Sequence, residues 1–429
     1  MRFKIRLFFA ILVFCSVSGL LSSMIIPAQE RTIRMMVSAC DGLLLLMALL
    51  STWRNRNSYV VWSLMVFLLI STITFVYTSD RFGVLEHLNG LREPLFFFSS
   101  LVVVFDLYHS RYQELFIRWF TRFLFVFAVV QIPLAVIQFL KFGAGDGVGG
   151  TYGIAGGSGY LTQILFLISF FLAVRYASLE DGSHFSIRKI PFFLVLLIPC
   201  AINETKVSFV LLAAFILLVA GSRKRILRTI PLLALGVGLV VLLNYYYSTT
   251  VEDTSYILDQ KYIEGYLLTQ RTGAGGDLPR FQRFLLMFGV MANDVGSILL
   301  GMGYGVFGGG NILGISRLGR SLYYLVEGSR ILLFRVWIQG GVVAVLTFAF
   351  AMFAWLRVKT NHYPTMRKFY WFLAFSLLLS WFYNEAMIDR TFAPVSIFFM
   401  MWIADGGGVN EPAEEQDTDI LEGLPDEAA

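Results

Sequence analysis

Histidine and cysteine are scarce in this chain: four and three of 429 residues. Cys15, Cys40 and Cys200 each lie in an apolar stretch, and their spacing matches neither a disulfide framework nor a zinc site. His87, His109, His184 and His362 are scattered, with no His-Glu-x-x-His run and no defensible Ser-His-Asp order. A metal-dependent centre is therefore not expected, and no cofactor or nucleic-acid partner is implied. Charge is thin as well. Only 15% of residues are charged, against roughly 25% in soluble domains.

The chain is instead 57% hydrophobic, with 41 phenylalanines. Apolar windows near ~20 residues recur along its length, and each reads as a bilayer span. The expected fold class is an all-α polytopic membrane protein with about a dozen transmembrane helices. The candidate spans are 6–26, 35–52, 58–77, 94–109, 119–139, 159–178, 190–203, 206–221, 229–247, 331–356, 369–383 and 391–404. The basic start, Met1 to Arg6, followed by an apolar run without a good cleavage site, reads as an uncleaved first span. Four regions follow: helices one to nine in 1–247, a large loop in 248–330, helices ten to twelve in 331–404, and a tail in 405–429.

Nine of the 29 acids and none of the 34 bases fall in 405–429. The tail reads as disordered, and the remaining 404 residues carry 34 bases against 20 acids. A basic surface of this kind orients the spans and suits anionic head groups or a phosphate-bearing substrate. The bases gather in alternate loops: Arg54 and Arg56, Arg111 and Arg118, Arg188 and Lys189, Arg223 to Arg228, and Arg357 to Lys368. The positive-inside rule places these loops and both termini in the cytoplasm, and the 248–330 loop outside.

Four constellations carry candidate chemistry. The first is the arginine-rich outer loop: Arg271, Arg280, Arg283, Arg317, Arg320, Arg330 and Arg335. Guanidinium forks bind phosphate oxygens. Within that loop, Phe284 to Leu300, interrupted at Asn293-Asp294, reads as a helix lying on the membrane or dipping into it. The second is Asn203-Glu204-Thr205-Lys206-Val207-Ser208, a polar knot between apolar runs. Charges near hydrocarbon tend to face a cavity and pair. The third is Gly143 to Gly159, nine glycines in 17 residues and including Gly157. It is either a flexible loop or a set of converging amides that bind an anion. The fourth runs from Glu327 through Arg330 and Arg335 to Gly340-Gly341. Here Glu327 suits a general base for a hydroxyl nucleophile, and the arginines suit interface anchors or substrate contacts.

These segments, in this order, resemble the O-antigen ligase and Wzy-type polysaccharide polymerase superfamily. Gly153 to Tyr160 looks like that family's glycine-rich opening of a span. Glu204 to Ser208 looks like its Thr/Ser-Arg stretch, with Lys206 where Arg is usual. Arg280-Phe-Gln-Arg283, an apolar helix, and then Gly301-Met-Gly303-Tyr304-Gly305 follow the family's order of arginine, helix and turn. Gly328-Ser329-Arg330 stands where the family commonly has His-Asn.

The resemblance implies a metal-independent glycosyltransferase of the bacterial inner membrane. An acceptor sugar hydroxyl attacks a glycan carried on undecaprenyl pyrophosphate, and Arg283, Arg280 and Lys206 neutralise the leaving group. It implies Glu204, Arg330, Arg335, Arg320, Tyr304 and Gly157 as substrate contacts. Membrane lipids, a chain-length regulator and a flippase are its implied partners. Tyr304 and other outer-loop tyrosines either stack on sugars or form an interfacial belt. The ligase reading shares this chemistry and differs in acceptor. A flippase is the reading from a different class, with Asp41 and Asp106 as its membrane-buried acids.

Overall fold

The computed structural model describes residues 1–53, 55, 58–143, 147–154, 157–178, 195–203, 205, 207–220, 280–292, 294–307, 316–322, 331–357 and 364–406. Among them the structure is helical throughout, with no strand. Six long helices come first: α1 (Arg2–Leu20), α2 (Glu30–Thr52), α3 (Tyr59–Tyr77), α4 (Val84–Tyr108), α5 (Gln113–Phe142) and α6 (Ser158–Ser178). Shorter helices follow: α7 (Ile198–Ile202), α8 (Val207–Ala220), α9 (Arg280–Met291), α10 (Val295–Leu300) and α11 (Arg317–Leu322). The bundle closes with α12 (Leu332–Phe353), α13 (Pro364–Tyr383) and α14 (Phe392–Ala404).

Seven helices among the described residues are long and apolar enough to cross a membrane: α1 to α6 and α12. The expected span at 229–247 lies outside the described residues, and the described part of 190–203 holds only the short α7. The fourth span begins earlier than hydropathy suggests. It starts at Val84 rather than 94, because Glu86 accepts from the Gly83 amide and the helix continues through Arg92, Glu93 and Pro94. The stretch Phe284–Leu300, read as a helix interrupted at Asn293-Asp294, forms parts of two helices, α9 and α10. Asp294 ends the first and caps α10, accepting from the Gly296 and Ser297 amides. A hydrogen bond from the Tyr77 hydroxyl, with those donors, holds the Asp294 carboxyl down to about 2.

Polar contacts assign the two ends of the bundle. At the near end, the Lys4 ammonium reaches Asp106 at 2.5 Å and Asn55 donates to the same carboxylate at 2.8 Å. Tyr108 and Gln113 donate to Asp405 at that end. The N-terminus and Asp405 therefore share one end. The far end holds the connections after α1, α3, α5 and α13. There α1 meets the 3-10 turn Gly150–Tyr152, and Leu332 of α12 donates to the Asn384 carbonyl.

Phenylalanine fills the interior. Phe67 stacks on Phe98 at 4.3 Å, Phe97 on Phe348 at 5.3 Å, and Phe120 on Phe398 at 4.1 Å. In hydrocarbon, helices gain little from leaving solvent, so close ring packing of this kind supplies the association energy. α4 lies centrally, against α2, α3, α5 and α14.

Candidate functional site

The far half of the bundle holds an ion-pair network that runs across four elements. Arg390, in the α13–α14 connection, grips Asp41 of α2 with two donors. Nε to Oδ1 is 2.8 Å and Nη2 to Oδ2 is 2.9 Å. Arg92 of α4 places its Nε 3.0 Å from the same carboxylate and donates through Nη1 to Ser38. Its neighbour Glu93 pairs with Arg335 of α12 at 2.5 Å and lies 3.9 Å from Arg390. Arg335 turns its other arm to Glu385 at 2.5 Å, and the Tyr160 hydroxyl donates to Glu385. Three guanidiniums thus face three carboxylates. Asp41 and Glu385 are buried, and Arg335 and Arg390 nearly so.

Asp389, beside this network, accepts from the Thr391 and Phe392 amides and from the Tyr152 hydroxyl, and so starts α14. Burial raises its carboxyl above the usual range. A charge at membrane depth costs about 3 kcal/mol on insertion scales unless it is paired. Every acid in the network accordingly has a guanidinium or an amide against it.

The glycine-rich segment is tied down where it is described. Gln138 of α5 both donates to the Gly150 carbonyl at 2.8 Å and accepts from its amide at 2.6 Å. Gln131 accepts from the Thr151 amide at 2.9 Å. Those two amides are committed to glutamines rather than presented to an anion. Gly157 is buried, and a Cβ there would lie 2.3 Å from Cβ of Tyr152. Its role is close packing of the turn on the start of α6.

The two glycine motifs singled out around 301 and 340 meet. α12 breaks at Gly341, whose φ is +69°. The break frees the Ile338 and Gln339 carbonyls, and these accept from the Met302 and Gly303 amides at 2.7 and 3.1 Å. Gly301 and Gly303 also have positive φ, which suits a turn that lies against another backbone. Tyr304 follows that turn and is 1% exposed. It stands edge-on to Phe67 and His87, 5.8 and 5.6 Å away. The expectation that it stacks on a sugar or lies in an interfacial belt is corrected: its ring is buried among Phe67 and His87.

Arg283 is the most unusual of the expected residues. It lies on α9, one turn before Met287, and is 1% exposed. Met287 and Met291 on the same face pack with Phe334 and Ile338 of α12, and Phe288 stands edge-on to Trp337 at 4.9 Å. Arg335 joins the ion-pair network, as stated above. Arg320 is exposed on α11. Arg280 opens α9, and its side chain lies outside the described residues, as do Glu204, Lys206, Glu327 and Arg330.

Arg92, Glu93, Glu385, Asp389 and Arg390 were not among the residues expected from sequence, and Asp41 was expected only as a buried acid. Two signals mark them. Arg92-Glu93 directly precedes a long apolar run, and Glu385 to Arg390 sits in a short connection between two such runs. Among the described residues no group of three or more His, Cys, Asp or Glu is placed to hold a metal ion. Compared with family models and with curated proteins, the chain matches none.

Proposed function

We propose that this protein is a polymerase of surface-polysaccharide repeat units, acting at the outer face of a bacterial inner membrane. In this reading the chain crosses the membrane about twelve times, both termini are cytoplasmic, and residues 248–330 form a periplasmic loop. The hydroxyl of an acceptor sugar attacks the anomeric carbon of a glycan on undecaprenyl pyrophosphate. A new glycosidic C–O bond forms and the bond to the pyrophosphate oxygen breaks. The hydroxyl proton passes to a base, for which Glu327 is the proposed group. Arg283, Arg280 and Lys206 neutralise the departing pyrophosphate. One well-placed donor for a developing charge contributes about 3–4 kcal/mol.

The observation that supports this reading most is the burial of Arg283 beside α12, the helix whose first turn carries the paired Arg335. A buried guanidinium at this position carries fixed positive charge next to α12, which is the charge the reading assigns to neutralising the departing pyrophosphate. Deleting the gene and resolving the surface glycan on a gel tests the reaction class. A polymerase loss leaves single repeat units on the cell surface. A glycan-free surface, as from loss of a flippase, refutes the proposal.

A further inference from the structure

A second basic feature lies away from Arg283. Between α1, α2 and α4 a cleft of about 540 Å³ opens at the far half of the bundle. Arg31 and Arg34 of α2 line its mouth, and Arg92 and Arg390 line its depth. Ser38 and Asn89 add polar groups, and Glu93 is the one carboxylate in the lining. Arg283 is not part of it.

The ion pairs do not use up this charge. Arg390 and Arg92 share Asp41, and Arg34 pairs with Glu30. Arg31 has no ion pair among the described residues. Four guanidiniums stand against Asp41, Glu93 and Glu30, and Glu93 is shared with Arg335. The lining itself holds four guanidiniums and one carboxylate, so the wall of the cleft is positive. Guanidiniums also offer more donors than single carboxylate partners occupy, and their planar forks match phosphate oxygens. Where α1 borders the cleft, at Ser18, Gly19 and Ser22, it passes into a π-helical turn over Leu21–Ile25. Such turns widen a helix locally and recur at functional sites.

The surroundings of the cleft decide between a soluble anion and a lipid. Leu85 lines it and is exposed, as is Leu88 one turn on. Ile25, Met35 and Met36 are exposed on the neighbouring elements. A ligand that enters here meets apolar surface and guanidiniums together. We propose that this cleft binds the phosphate head group of a membrane lipid, with the lipid's chains lying over the exposed apolar residues of α2 and α4. The site is separate from Arg283, and the proposal stands whether or not the polymerase reading holds.

Native mass spectrometry of the detergent-purified full chain tests it, with phosphatidic acid and phosphatidylcholine as probes. The wild type is expected to retain phosphatidic acid at least about ten-fold better than phosphatidylcholine, since the phosphomonoester carries unmasked charge. The double variant Arg31→Ala, Arg34→Ala is expected to lower that preference to about two-fold or less. Both residues are exposed on α2, so an unchanged melting temperature will show that the fold persists. Arg6→Ala with Arg122→Ala removes the same charge from exposed positions outside the cleft and is expected to keep the preference. Inorganic pyrophosphate is the free-anion arm, and it is expected to displace the lipid only at about hundred-fold higher concentration. Equal retention by the wild type and the Arg31/Arg34 variant overturns the proposal. So does displacement by pyrophosphate at equal concentration, which makes the cleft a site for soluble anions.

Discussion

Arg390 and Asp41 lie 349 positions apart in the chain and meet through two parallel hydrogen bonds of 2.8 and 2.9 Å. This pair fastens the connection before the last helix to the middle of the second. The second helix packs along α4, and α4 supplies Arg92 to the same carboxylate. One acid therefore fixes the relative placement of three elements. In a low-dielectric interior such a pair gives little net stabilisation over an apolar substitute, but breaking it leaves a charge stranded.

Asp41→Ala should therefore destabilise the protein by about 3–5 kcal/mol, because it strands Arg390 and Arg92. Asp41→Ala combined with Arg390→Met should recover a large part of that loss, since only Arg92 is then left without its partner. Thermal unfolding in detergent, followed by intrinsic fluorescence, measures both. A double variant less stable than Asp41→Ala would contradict the assignment.

The break in α12 gives a second expectation. A Cβ at Gly341 would lie 2.1 Å from the Leu299 carbonyl oxygen, at a φ of +69°. Gly341→Ala should thus lower stability by several kcal/mol and separate the Gly301–Gly303 turn from α12. Gly42→Ala, in α2, meets nothing within 4 Å and should stabilise by about 0.5–1 kcal/mol. The same melting experiment on the two variants should give shifts of opposite sign.

The glutamine clamp gives a third. Gln138→Leu leaves the buried amide of Gly150 without a partner, at a cost of about 1–3 kcal/mol, and leaves its carbonyl only the Gly153 amide. Amide hydrogen exchange, read by mass spectrometry on a peptide spanning 147–154, should become faster in this variant and remain slow in the wild type. Unchanged exchange would mean that the clamp does not hold the turn.

Much of the fold is legible in the sequence, and the reason is local. Long apolar runs such as Tyr59–Tyr77 and Leu332–Phe353 specify helices by composition alone, and their helical ends fall within a few residues of the expected boundaries. The start of α4 was missed because Arg92, Glu93 and Pro94 break the apolar run. They are tolerated there only through partners from α2, α12 and the α13–α14 connection, and no local pattern encodes partners so distant in the chain. Tyr304 was misjudged for a related reason. An aromatic residue in a glycine-rich turn looks exposed until Gly340 and Gly341 open a place for the turn against α12. Gly157 was visible as a glycine that something approaches, but the sequence does not say that the neighbour is Tyr152 rather than a substrate. The meeting of Gly301–Gly303 with Gly340–Gly341 was half legible, since both motifs stand out but their pairing depends on the tertiary fold.

The role of Arg283 is tested most directly by the surface-glycan ladder of cells that carry Arg283→Ala. Blotting should first establish membrane levels equal to wild type, with Arg283→Lys alongside as the charge-retaining variant. Single repeat units are expected in Arg283→Ala and partial recovery of the ladder in Arg283→Lys, because an ammonium supplies charge without the bidentate fork. A full-length ladder in Arg283→Ala at matched protein level would contradict that role.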